Sequence, residues 1–186
     1  MNNFLDLIRN YDFKGYYHLY QFGLDHAWAA DFYYFFARYG IVFFFLSFIY
    51  LIWKRKIPAF ICSIMAMGMA VVVDFLVFAF WQRPRPFFAH ANIVSDPMVN
   101  GMYADFGSFP SSHTYMAFAV AISVFLFGHK RLGSVLFLLA ICVAVGRIGS
   151  GLHYPSDVIG GALLGLISGI VIYYSSRGFL SSEDRK

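Results

Sequence analysis

Arg147, His153 and Asp157 stand in the order R-x5-H-x3-D within GRIGSGLHYPSDVIGG (146–161), and RPRP at 83–86 and PSSH at 110–113 precede them. These are residue types suited to handling a phosphoryl group. A guanidinium presents a planar fork of donors that fits phosphate oxygens and stays charged at any physiological pH. Arg85 and Arg147, with Arg83 as a third, can form an anion clamp. Ser111, Ser112 and His113 follow Pro110 and open a long apolar run, so their N–H groups lie at a helix N-terminus, which binds anions readily. Asp157 falls four residues after His153, in the first turn of a helix begun by Pro155, and is expected to hold one imidazole nitrogen. The other nitrogen of His153 is then unprotonated and nucleophilic, and His113 can protonate the leaving oxygen.

Each residue alone has a plainer explanation. Arg147 can snorkel from a helix end, Asp157 can be a favourable N-terminal charge, Ser111 can be a helix cap, and either histidine can be an interfacial polar group. Eight fixed positions, each with a background frequency of roughly 1 in 20, do not coincide by chance on one side of a membrane.

A membrane is what the remaining sequence implies. Of 186 residues, 60% are hydrophobic and 13% charged, against about 25% charged in soluble chains. The expected fold is all-α: a polytopic membrane helical bundle in a single domain, 1–186. Five transmembrane helices are expected, at 29–53, 58–81, 110–128, 132–149 and 157–174. Residues 1–28 read as an N-terminal interfacial helix with Phe4, Leu5, Ile8 and Tyr11 on its apolar face, and not as a signal peptide, because acids and bases interrupt it. The 23 Phe, 13 Tyr and 3 Trp fit lipid-facing and interfacial positions. The net charge of +4 is divided among short loops, which argues against a nucleic-acid partner. Cys62 and Cys142 lie in apolar segments without metal or redox spacing.

Lys54, Arg55 and Lys56, then Lys130 and Arg131, then Arg177, Arg185 and Lys186 all fall on one side of the five crossings. That side is cytoplasmic by the positive-inside rule. The N-terminus, the long loop 82–109 and the turn 149–156 therefore share the extracytoplasmic face, where the polar motifs can converge. Within the spans, Arg38 and Asp74 lie at similar depth and are expected to pair.

The three motifs resemble those of the type 2 phosphatidic acid phosphatase superfamily, K-x6-RP, PSGH and SR-x5-H-x3-D, in the same order and over about residues 29 to 175. The resemblance implies a phosphatase that needs no metal or other cofactor. His153 would form a phosphohistidine, Asp157 would orient it and His113 would be the general acid. Arg85, Ser111, Ser112 and Arg147 would hold phosphate. The sequence departs from the pattern at Phe78 in place of the lysine, Ser112 in place of the glycine and Gly146 in place of the serine. RPRPFFAH (83–90) is further similar to bacterial undecaprenyl pyrophosphate phosphatases of the bacitracin-resistance type, with His90 a candidate for a second phosphate. That similarity implies an enzyme of the bacterial plasma membrane acting on an isoprenoid diphosphate. Phosphatidylglycerophosphate, phosphatidic acid or lipid A phosphates are alternative substrates, and a phosphotransferase would share every motif. A small transporter, its path lined by Arg38, Asp74, Arg147 and Asp157, is the reading of a different class; the chain has no internal repeat to favour it.

Overall fold

The computed structural model describes residues 2–92 and 106–183, with side chains described for 9–92 and 106–176. The described residues form helices α1 (Asn2–Asp25), α2 (Ala27–Tyr39), α3 (Val42–Trp53), α4 (Ile57–Phe80), α5 (Pro86–Ala89), α6 (Ser112–Leu126), α7 (Lys130–Gly149) and α8 (Pro155–Glu183). The stops are local. Pro58 and Pro86 occupy the first turns of α4 and α5, where a missing N–H costs nothing. Gly128 and Gly151, at φ of 87° and 88°, make the left-handed turns that end α6 and α7.

Among the described residues, three helices are long and apolar enough to cross a membrane: α4, α7 and the 155–176 part of α8. The expected first span is instead a pair, α2 and α3, bent by 50° at Gly40 and Ile41, and it counts as a fourth crossing if taken whole. Gly40 is wedged against Val143, so no side chain fits there and the chain kinks around α7. The expected third span, α6, has 15 residues, roughly 22 Å of helix against a hydrocarbon core of about 30 Å. Its shortness has a physical source. Ser108 and Ser111 are already fully buried before the helix begins, so the connecting backbone enters the bundle as irregular chain. Such backbone is tolerated at depth only inside protein.

α6 occupies the centre and packs against α4, α7 and α8. Its Ala117, Ala119, Val120, Ala121 and Val124 are wholly buried. Gly161, Gly165 and Gly169, spaced by four on α8, face it. A Cβ on Gly161 would lie 2.7 Å from the Ser111 carbonyl oxygen, and one on Gly165 would collide with that of Tyr115. Small residues at this spacing let two helix backbones meet directly. On the outside, Phe75, Phe80, Leu138, Ile159 and Leu163 are exposed, as expected of faces solvated by lipid. The chain is an integral membrane protein.

α1 packs against α2, α7 and α8, and its buried stripe is Asp12, Tyr16 and Tyr20, set against Ala144, Ile148, Tyr154 and Val158. Tyr11, assigned to the apolar face, is exposed. The side chains of Phe4, Leu5 and Ile8 lie outside the described residues, as do Ile93, Val94, Met98, Val99, Met102 and Tyr103 of the long loop. The stem of that loop is closed by a bridge between Pro84 and Phe106 and by the Ser108 N–H donating to the Arg83 carbonyl oxygen at 3.0 Å.

The expected Arg38–Asp74 pair does not form. Arg38 ends α2 with its guanidinium 5.8 Å from the centre of the Tyr39 ring, while the cationic charge that reaches Asp74 is that of Arg85. Equal depth places two residues at one level but does not turn them toward each other.

Candidate active site

The α4–α5 linker, the entry to α6 and the α7–α8 turn meet at one end of the bundle. The basic turns meet at the other, where Lys56 acts electrostatically on His129. His153 lies in the α7–α8 turn and has no solvent exposure. Its Nδ1 is 2.7 Å from the Ser108 carbonyl oxygen. A carbonyl can only accept, so Nδ1 carries the proton and Nε2 holds a lone pair. Nε2 accepts from Arg147 Nη2 at 3.0 Å and Arg85 Nη1 at 3.1 Å. Both arginines are buried and anchored by backbone oxygens, Arg85 Nη1 to Leu152 at 3.1 Å and Arg147 Nη1 to Ala37 at 3.2 Å.

This geometry corrects the expected role of Asp157. Its Oδ2 stands 3.8 Å from His153 Nδ1, beyond hydrogen-bonding range. That oxygen accepts instead from the Ser108 hydroxyl at 2.5 Å and the Tyr154 N–H at 2.8 Å. The reason is local. α8 begins only at Pro155, so His153 and Asp157 do not share a helical face, and Asp157 at the third helical position reaches back to cap the N-terminus. The carboxylate still acts on the imidazole, indirectly through Ser108 and through space.

Arg83 is likewise not available as drawn. Its Nη1 donates to Asp157 Oδ1 at 2.5 Å and to Ser156 Oγ at 2.6 Å, and its Nη2 to Asp12 Oδ2 at 2.5 Å. The guanidinium also lies over the Tyr154 ring at 4.2 Å. Its donors serve carboxylates, so it braces Asp157 where a third phosphate-clamp cation was expected. Ser111 makes no side-chain cap; its Oγ accepts from Thr114 Oγ1 at 3.0 Å, and its N–H donates to the Asp157 carbonyl oxygen at 3.0 Å. Ser112 is half-buried at the first position of α6. His113 follows, within electrostatic reach of Arg147, His153 and Arg85, and its Nδ1 is buried with no hydrogen-bond partner among the described residues.

At the departures from the family pattern, Phe78 packs its ring 3.0 Å from where a Cβ of Gly107 would be, and Gly146 lies against the backbone of Tyr33 and Ala37. His90 rests 4.2 Å from the Phe13 ring centre and lines a cavity of about 520 Å³ with Arg9 and Arg83. Ser108, Asp12 and Ser156 were not singled out from sequence. Nothing local marks them, since their partners lie 45 to 144 residues away.

Burial pushes the His153 imidazole down from 6.5 to about 3, with Asp157 opposing the shift and Arg147 and Arg85 adding to it. Its neutral form is therefore the folded form, and the stability tied to it is complete above the unfolded value. As pH falls from 6.5 toward 3 the unfolded chain takes up the proton first, and that stability is lost. The melting temperature in detergent is expected to fall as pH is lowered from about 7 to about 4, and to fall less steeply in His153→Asn. Equal slopes would contradict a buried neutral imidazole.

The chain is similar to known proteins over most of this helical bundle. Residues 60–180 match the PAP2 superfamily. The chain is 33% identical over 103 residues to undecaprenyl-diphosphatase BcrC of Bacillus subtilis, a match covering 55% of this chain and 50% of that protein. It is 45% identical over 69 residues to bacitracin transport permease protein BcrC of Bacillus licheniformis, covering 37% and 34%. The chain thus spans a third to a half of the length of these curated relatives. The crystal structure of Aquifex aeolicus LpxE superposes with a TM-score of 0.64 at 30% identity, over 79% of this chain and 86% of that one. With the family match spanning well over half the sequence, the chain belongs to the PAP2 superfamily.

Proposed function

We propose that the protein is a lipid phosphatase of the plasma membrane that hydrolyses an isoprenoid diphosphate, undecaprenyl diphosphate, at the extracytoplasmic face through a phosphohistidine on His153. The observation that carries this reading is the placement of His153 Nε2, unprotonated, where its lone pair accepts from the N–H donors of two buried arginines. Phosphate oxygens entering the site take over those donors, which leaves Nε2 facing phosphorus. In-line attack forms the N–P bond and breaks the bond to the bridging oxygen, and His113 protonates the departing lipid phosphate. The Nδ1–H stays on the Ser108 carbonyl oxygen, and the carboxylate of Asp157 at 3.8 Å offsets the positive imidazolium. Water then attacks phosphorus, the N–P bond breaks to restore the neutral imidazole, and orthophosphate leaves, with His113 taking the water's proton. Arg85 and Arg147 supply the cationic charge that favours the transition state.

The diphosphate preference rests on RPRPFFAH, on the name of the Bacillus subtilis relative, and on the cavity lined by His90 and Arg9 beside the site. The outer face is favoured because the site lies at the opposite end from the lysine-rich turns. The name of the Bacillus licheniformis relative favours a second reading, transport.

A phosphate-release panel on the purified protein tests both: undecaprenyl diphosphate, phosphatidic acid, phosphatidylglycerophosphate and lipid A phosphates. Undecaprenyl diphosphate is expected to be cleaved fastest. Turnover is expected to persist in EDTA and to be inhibited by vanadate. Strict dependence on added divalent metal would refute the mechanism, and gradient-driven uptake by proteoliposomes without phosphate release would favour transport.

A further inference from the structure

We infer that Asp12, on the N-terminal helix and outside the family-matched region, is a positioning residue for the nucleophile. The inference rests on the phosphohistidine reading of His153. Asp12 is 7% exposed and both its oxygens are in use. Oδ1 accepts the Ser156 N–H at 2.8 Å, and Oδ2 accepts the Ser156 hydroxyl and Arg83 Nη2, each at 2.5 Å.

These bonds act on α8 in two ways. The Ser156 N–H is one of the free donors of the first turn, so Asp12 caps α8 from another helix. Arg83, held from one side by Asp12, holds Asp157 from the other. Asp157 fixes the hydroxyl of Ser108, and the carbonyl of the same residue fixes His153 Nδ1. A chain of charge-assisted and neutral hydrogen bonds, passing through the Ser108 residue itself, therefore runs from α1 to Nδ1 of His153 and sets the direction in which Nε2 on the same ring points.

Removing the Asp12 charge leaves a largely buried guanidinium with one carboxylate in place of two. The cavity lined by Arg9, Asp12, Arg83 and His90 gives that guanidinium room to swing away. Asp157 and Ser108 then lose their fixed position, and the imidazole loses its aim. Errors of about 1 Å in such geometry cost roughly 100-fold in rate.

The test uses the full chain in detergent with undecaprenyl diphosphate, and p-nitrophenyl phosphate as a second probe. Asp12→Asn keeps the shape and an acceptor for Ser156. It is expected to lower kcat roughly 10- to 100-fold while changing KM less than about 3-fold, the mark of an interaction expressed in the transition state. Arg83→Gln is expected to give the same split, and the double variant to be no slower than the slower single one, because the two residues act as a unit.

Alkali-quenched single-turnover measurements separate aim from folding. The rate constant of phosphoenzyme formation should fall in Asp12→Asn with its amplitude retained. An unchanged rate constant with reduced amplitude would mean that Asp12 only keeps protein folded. Additive losses in the double variant, or wild-type kcat in Asp12→Asn, would also overturn the inference. Absence of turnover in the wild type with either probe would instead sink the phosphatase reading itself.

Discussion

Phosphate release by His153→Ala is expected to fall at least about 10⁴-fold, with no phosphoenzyme recovered after an alkaline quench. His153 Nε2 combines a lone pair with hydrogen bonds from both buried arginines. Water attacking in its place would have to be activated in a pocket shaped for an imidazole. The loss should therefore approach that of deleting a nucleophile from a catalytic triad, where single removals cost about as much as removing the whole set. KM should change little, because Arg85 and Arg147 keep their backbone anchors at Leu152 and Ala37. Substantial activity in this variant would end the covalent mechanism.

His113→Ala is expected to show a loss that depends on the leaving group. With a lipid diphosphate or alkyl phosphate the departing oxygen is basic, and loss of its proton donor should cost about 10²- to 10⁴-fold. With p-nitrophenyl phosphate the departing phenolate needs little help, and the loss should shrink toward about 10-fold. The buried Nδ1 of His113, with no hydrogen-bond partner among the described residues, motivates the assignment; a phosphate dianion seated between Arg85 and Arg147 supplies the negative charge that favours the protonated imidazole. Equal losses across the series would assign His113 to binding and not to proton transfer. The dephosphorylation step should slow as well, so phosphoenzyme is expected to accumulate in this variant when a good leaving group drives its formation.

Much of the architecture was legible because a bilayer imposes length and composition on every span. α4, α7 and α8 correspond to the apolar runs at 58–81, 132–149 and 157–174, with α7 and α8 each starting two residues earlier, at Lys130 and Pro155. The break at Gly40 was not legible, because it depends on how closely α7 approaches, and an apolar run carries no record of its neighbours. The same limit explains the Arg38–Asp74 error: hydropathy gives depth and not azimuth. Within the site, the helix start at Pro155 was legible, but the partner of the imidazole was not: Nδ1 is held by the carbonyl of Ser108, 45 residues away, where Asp157 had been expected to reach back. Asp12, Arg83 and Ser156 form their network across 71 to 144 residues. An isolated acid on an aromatic-rich helix reads as surface charge until that helix is seen lying against α8.

The direct backbone contact between α6 and α8 bears on how this protein meets different lipids. Thickness mismatch strains a helix through its solvated flank, and these two helices carry His113 and Asp157 on a seam closed by glycines and shielded by neighbours. A thinner or thicker bilayer should therefore tilt the outer segments, above all the hinged α2–α3 pair, while leaving the reactive groups in register. Turnover is accordingly expected to vary little between short- and long-chain micelles, and enlarging Gly165 should be felt at the reaction centre before the rest of the molecule loosens.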